Sequence, residues 1–117
     1  MSEAATPERR AALVTQRENL RKEIVDQGGD PDTEDASIDV ERGFADSAHS
    51  TEERARALSV LKALRSNLGW VDRALRKMDL GTYGTCESCR RPIADERLDT
   101  LPWAVLCVTC KAKGEGR

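Results

Sequence analysis

Aromatic rings are scarce in this 117-residue sequence, which has one Phe, one Tyr and two Trp. With an apolar fraction of 38%, that scarcity excludes a large globular core, because rings supply much of the area that a small domain can bury. Long hydrophobic runs are missing as well. The longest near-apolar stretch, LPWAVLCV at 101–108, is far short of the roughly 20 residues needed to span a bilayer. The opening MSEAATPERR has no apolar segment of the kind that directs secretion. A soluble, cytoplasmic protein without membrane contact is expected. Histidine is reduced to His49, and there is no Ser/His/Asp set, no glycine loop for phosphates and no acid pair outside a solvated tract. The chain is therefore read as a non-enzyme. Cysteine is absent until position 86.

Charge is plentiful but unevenly placed. The net charge of −2 conceals nine acids against one base, Arg42, between Asp30 and Glu53. Residues 54–78 then carry seven bases against Asp72 alone. One stretch repels phosphates and the next could attract them. The acidic tract also holds the sole phenylalanine, in the sequence GFADSA at 43–48.

From Pro7 to Gln27 the composition favours helix, with Thr6 placed to cap it and Pro7 at the first helical position, where a missing N–H costs nothing. Leu13, Leu20 and Ile24 form one face, diluted by Gln16 and Arg17. Gly28-Gly29 and Asp30-Pro31 should end that helix. The following acidic residues read as irregular, with one short helical turn at most. From about Ser47 to Asp79, Leu58, Leu61, Leu64, Leu68, Val71, Leu75 and Met78 recur at intervals of three and four, the mark of a coiled-coil seam. Ser50 and Glu53 can form a capping box at its start, or Asp46 can cap one turn earlier. So one-sided a helix needs a partner, and the first helix is the one on offer. The expected fold is mainly α: a long antiparallel helical hairpin over 1–80, its acidic tip around 30–48, followed by a small module over 81–117.

That module contains CESC, seventeen intervening residues and CVTC, placing Cys86, Cys89, Cys107 and Cys110 in two CxxC pairs. Each CxxC turn can present two thiolates to one ion, and the loop lets the second turn close from the opposite side. One structural Zn²⁺ suits four thiolates best. A closed site leaves no position for a reactive water, which argues against catalysis at the metal. A thiol redox switch and an iron–sulfur site are the other readings. Ile93, Leu98, Leu101, Trp103 and Val105 are the expected small core around the metal.

The stretch YGTCESCRRPIADERLDTLPWAVLCVTCK resembles the zinc finger of the TraR/DksA family of bacterial transcription regulators. The shared features are the cysteine spacing, YG before the first cysteine, Ile93, Arg97-Leu98, Pro102 and Lys111. The resemblance implies a factor that binds RNA polymerase, inserts a helical hairpin through the secondary channel and presents an acidic tip near the catalytic centre. It implies no sequence-specific DNA contact. The family's tip motif, DxxDxA, falls on GFADSA, so that Asp46 and Ala48 match the second Asp and the Ala. Gly43 stands where the first Asp is expected, with Asp39 and Glu41 near enough to substitute. Phe44 either anchors the enlarged acidic loop or presents its ring to the polymerase.

The alarmone ppGpp is a further partner implied by the resemblance, at the polymerase rim. Two positions on the second helix where basic side chains would be expected hold Ala63 and Trp70, and Lys111 alone is retained. Weak or absent ppGpp dependence follows. Arg90 stands where many members of that family have a glycine, which tolerates positive φ after a zinc knuckle, so the resemblance leaves the geometry of that turn open. The factor is expected to act as a monomer. Two alternatives of other classes are a nucleic-acid-binding zinc protein using the bases from Arg54 to Lys77, and a zinc-thiolate redox sensor.

Overall fold

The computed structural model describes residues 3–32 and 50–114. Two long helices, α1 (Pro7–Asp26) and α2 (Thr51–Leu80), pack together, and two short ones, α3 (Asp95–Thr100) and α4 (Val108–Ala112), belong to the cysteine module. Among the described residues no helix is long and apolar enough to cross a membrane.

The ends of the long helices follow from local chemistry. Thr6 Oγ1 accepts a hydrogen bond from the Arg9 N–H at 3.2 Å, satisfying one of the donors that a helix start leaves open. Ser50 and Glu53 form a reciprocal capping box: the Glu53 N–H donates to Ser50 Oγ and the Ser50 N–H donates to Glu53 Oε1, both at 3.1 Å. That box fixes the start of α2 at Thr51; the expected earlier start at Ser47 lies outside the described residues. Both helices finish in the same way. Gly28 (φ 87°) donates to the Val25 carbonyl while Gly29 donates to that of Ile24. Gly81 (φ 78°) donates to Met78 and Thr82 to Lys77. These paired bonds occupy the last free carbonyls of each helix, with glycine in the left-handed conformation that makes the turn accessible.

Two compact units divide the chain. One combines residues 1–16 with 70–117, and the other covers Arg17–Gly69. In the first, the start of α1 lies against the end of α2, where Arg10 pairs with Asp79 at 3.2 Å, so the two helices run antiparallel. Leu13, Val71, Ala74 and Met78 are buried there. In the second, Leu20 and Ile24 from α1 and Leu61 and Leu68 from α2 are buried. The Arg65 guanidinium donates to the Asp30 carbonyl at 2.7 Å, and Arg21 pairs with Asp32.

The expected seam is only partly buried: Leu58 and Leu64 are half-buried, and near the end of α2 the register shifts. Leu75 is half-buried, whereas Ala74 is fully buried and Lys77 nearly so. A straight helix repeats every 3.6 residues rather than 3.5, so its buried stripe drifts around the axis over several turns.

Candidate metal centre

The cysteine module begins where the Gly81 turn releases the chain from α2. Tyr83, with no exposed surface, anchors it: its hydroxyl donates to the Pro102 carbonyl at 2.7 Å. Burial, with a lesser contribution from Asp99, pushes its pKa up to about 12 against the opposing effect of Arg9. Ile93, Leu98, Ala104, Val105 and Leu106 are buried in the same module. Ile93, Leu98 and Val105 meet the sequence expectation, while Leu101 and Trp103 are only half-buried.

A tight turn carries the first cysteine pair. Thr85 and Pro92 bridge across it, the Cys86 N–H donates to the Arg91 carbonyl at 2.9 Å, and the Arg90 N–H returns to the Cys86 carbonyl at 3.0 Å. Arg90 closes this turn at φ 66°, the dihedral that a glycine would adopt there without strain. A side chain there costs about 1 kcal/mol relative to glycine, because its Cβ crowds the following carbonyl. The second pair opens α4, where Cys107 is the cap and its sulfur accepts from the Cys110 N–H.

The two turns bring all four Sγ atoms within 4.8 Å of one another. Cys89 and Cys107 sulfurs are 3.8 Å apart. A tetrahedral zinc with Zn–S bonds of about 2.3 Å sets its sulfurs about 3.8 Å apart, so the donor set fits the ion in number, type and spacing. Burial raises the Cys86 pKa, but backbone N–H groups from Cys89, Cys107 and Ser88 outweigh it and bring the thiol down to about 6. Burial, together with the neighbouring cysteines, pushes Cys110 up to about 12 despite Ser88. Without a cation Cys86 and Cys110 do not share one protonation state; a divalent ion would displace the remaining protons and let four thiolates coexist.

Several polar ties brace this site, and most were not apparent in the sequence. Arg9 reaches from α1 to α3, donating to Asp99 at 2.8 and 3.0 Å, to Asp95 and to the Ala4 carbonyl. Arg97 Nε donates to the Leu106 carbonyl at 2.9 Å. Glu87, inside the CESC turn, receives both Arg73 and Lys77 from α2. Arg73 also lies over the Trp70 ring, 5.7 Å from its centroid. Because these partners are far apart in sequence, periodicity and spacing gave no signal for them.

Lys111 is exposed on α4 and lines a cleft of about 130 Å³ with Trp70, Arg97, Leu101 and Trp103. Trp70 thus occupies the wall of the cleft that Lys111 faces, contributing apolar surface. Phe44, Asp46 and Ala48 lie outside the described residues, as does the rest of the 33–49 segment.

Residues 81–115 match the prokaryotic dksA/traR C4-type zinc finger. The RNA polymerase-binding transcription factor DksA of Escherichia coli K12 is 30% identical over 119 aligned residues, covering 100% of this chain and 76% of that protein. DksA of Caulobacter vibrioides NA1000 is 36% identical over 74 residues, 63% of this chain. The chain spans about half the length of that relative, 52%. The structure of transcription factor DksA2 from Pseudomonas aeruginosa superposes with a TM-score of 0.70 at 26% identity, covering 97% of this chain and 84% of that one. The four cysteines are thus a C4 zinc-finger site consistent with one structural Zn²⁺. The protein belongs to the DksA/TraR zinc-finger family.

Proposed function

We propose that this protein is a cytoplasmic, non-enzymatic regulator that binds RNA polymerase through its secondary channel and alters transcription initiation with an acidic hairpin tip. The observation that carries the reading is the identity to the E. coli factor across the whole chain, through both long helices as well as the finger. A finger match alone would leave the helices unexplained.

The chemistry agrees with that role. A closed four-thiolate site holds structure rather than reacting, so the finger serves as a rigid base for the end of α2. The tract from Asp30 to Glu53, with nine acids and one base, would be drawn along a basic channel by long-range attraction. Asp46 is the carboxylate that acts at the tip, with Ala48 the small residue beside it and Phe44 the anchor of the acidic loop. No sequence-specific DNA contact is involved.

Co-elution of the zinc-loaded protein with core RNA polymerase, followed by transcription from a panel of promoters in vitro, tests the reading. Binding with promoter-dependent changes in yield supports it; absence of binding at micromolar concentrations rejects it. The apolar wall given by Trp70 beside Lys111 is poorly suited to a tetraanionic alarmone. Added ppGpp should therefore change the effect less than twofold, and strong synergy would contradict that assignment.

A further inference from the structure

A second cleft, of about 570 Å³, opens where the end of α2 meets the first cysteine turn. Arg73, Arg76 and Lys77 line it from α2 and Arg90 lines it from the turn, against a single acid, Glu87. Arg73 and Lys77 are both engaged by Glu87. Arg76 and Arg90 are exposed and have no ion pair among the described residues.

Arg90 is the informative member. It holds a backbone conformation that glycine would adopt without strain, and its side chain is neither buried nor paired in return. Strain that brings no packing benefit marks a position kept for another purpose. The paired bases beside it are neutralised only in part, because one carboxylate serves two cations.

The geometry points to this cleft as a binding surface for the phosphodiester backbone of a nucleic-acid strand, held by Arg76 and Arg90 without reading its bases. Guanidinium groups match the geometry of phosphate oxygens and remain charged at any physiological pH. The cleft is open to solvent rather than enclosed, and no aromatic ring lines it on which a base could stack. Contacts of this kind position a strand but carry no sequence information. This surface is distinct from the acidic tip and does not depend on the polymerase reading.

Anisotropy of a labelled, mixed-sequence single-stranded DNA 20-mer, titrated with the zinc-loaded full chain, tests the assignment. Dissociation constants in the range of non-specific binding, on the order of 10⁻⁵ M, are expected, weakening as salt rises from 50 to 200 mM. Combined Arg76→Gln and Arg90→Gly substitution should weaken binding at least tenfold at low salt and reduce the slope of log K against log salt by about 1.4, two phosphate contacts' worth. Arg90→Lys should retain most of the binding, and Arg54→Gln, outside the cleft, all of it. Arg90→Gly alone should melt at or above the wild-type temperature, so a loss of binding is not a loss of fold. Unchanged binding by the double variant overturns the proposal. So does inorganic tripolyphosphate or an acidic peptide binding the cleft while the oligonucleotide does not.

Discussion

The two compact units share the same two helices, with α1 divided equally and the longer part of α2 in the unit without the cysteines, yet they are held in different ways. The unit with the cysteines buries Tyr83, Ile93, Leu98, Val105 and Leu106, gathers four sulfurs, and ties α1 to α3 through Arg9. The unit from Arg17 to Gly69 buries Leu20, Ile24, Leu61 and Leu68, with Arg65 and Arg21 tying its described ends. One draws on a metal and a closed polar network; the other draws on a stripe of aliphatic side chains. A chain with four aromatic rings cannot build two cores of the first kind, and the scarce rings are concentrated where the metal is.

Removing zinc should have the largest effect, and on the cysteine unit alone. Structural zinc sites of this type contribute about 10–16 kcal/mol of apparent binding energy, as large as the whole stability of a typical domain. Chelation, or Cys86→Ser, is expected to abolish the near-ultraviolet signal of the tryptophans and the fold of the finger. A zinc-free chain with its tryptophan signals intact would show that the apolar cluster suffices. Acid should have the same effect, since protons compete for the thiolates, and zinc should be released as pH falls.

Next in size is Leu61→Ala, which truncates a side chain 1% exposed in the other unit. Such a deletion costs about 2–4 kcal/mol. Denaturant unfolding followed by far-ultraviolet dichroism should show it, with zinc content still one ion per chain. Equal loss of zinc would mean that the two units unfold as one.

Tyr83→Phe probes the finger more gently. Leaving the Pro102 carbonyl without its donor should cost about 1–2 kcal/mol. Because the fold raises the Tyr83 pKa to about 12, the folded state favours the neutral phenol. The contribution is therefore full below about pH 10 and is lost as pH rises toward 12. The difference in melting temperature between wild type and Tyr83→Phe should shrink over that window; a constant difference would contradict the assignment.

Much of this was legible in the sequence where chemistry is local. Thr6, Ser50 with Glu53, and the glycines at 28 and 81 fix helix ends through bonds that span at most five residues. The CxxC pairs carry their own geometry, whereas the turn at Arg90 was left open by its non-glycine residue and is closed at positive φ all the same. Helix α3 was not foreseen: six residues long, capped by Ala94 without a side-chain bond, it has too little periodicity to detect and is held by Arg9, 86 to 90 residues away in sequence. The Glu87 network escaped for the same reason. Counting Arg73 and Lys77 among free bases overlooked an acid that sits between two metal ligands. Trp103 was expected in the finger core, but it is half-buried and lines the cleft beside Lys111.

Under the proposed function, a finger of fixed structure supports a hairpin whose acidic tip acts on RNA polymerase. The most direct measurement is in vitro transcription, paired with a polymerase-binding assay, comparing wild type with Asp46→Asn. That substitution removes one charge and preserves size, so binding should change less than threefold while the effect on sensitive promoters falls at least tenfold. If Asp46→Asn binds and regulates as wild type does, the tip mechanism is wrong.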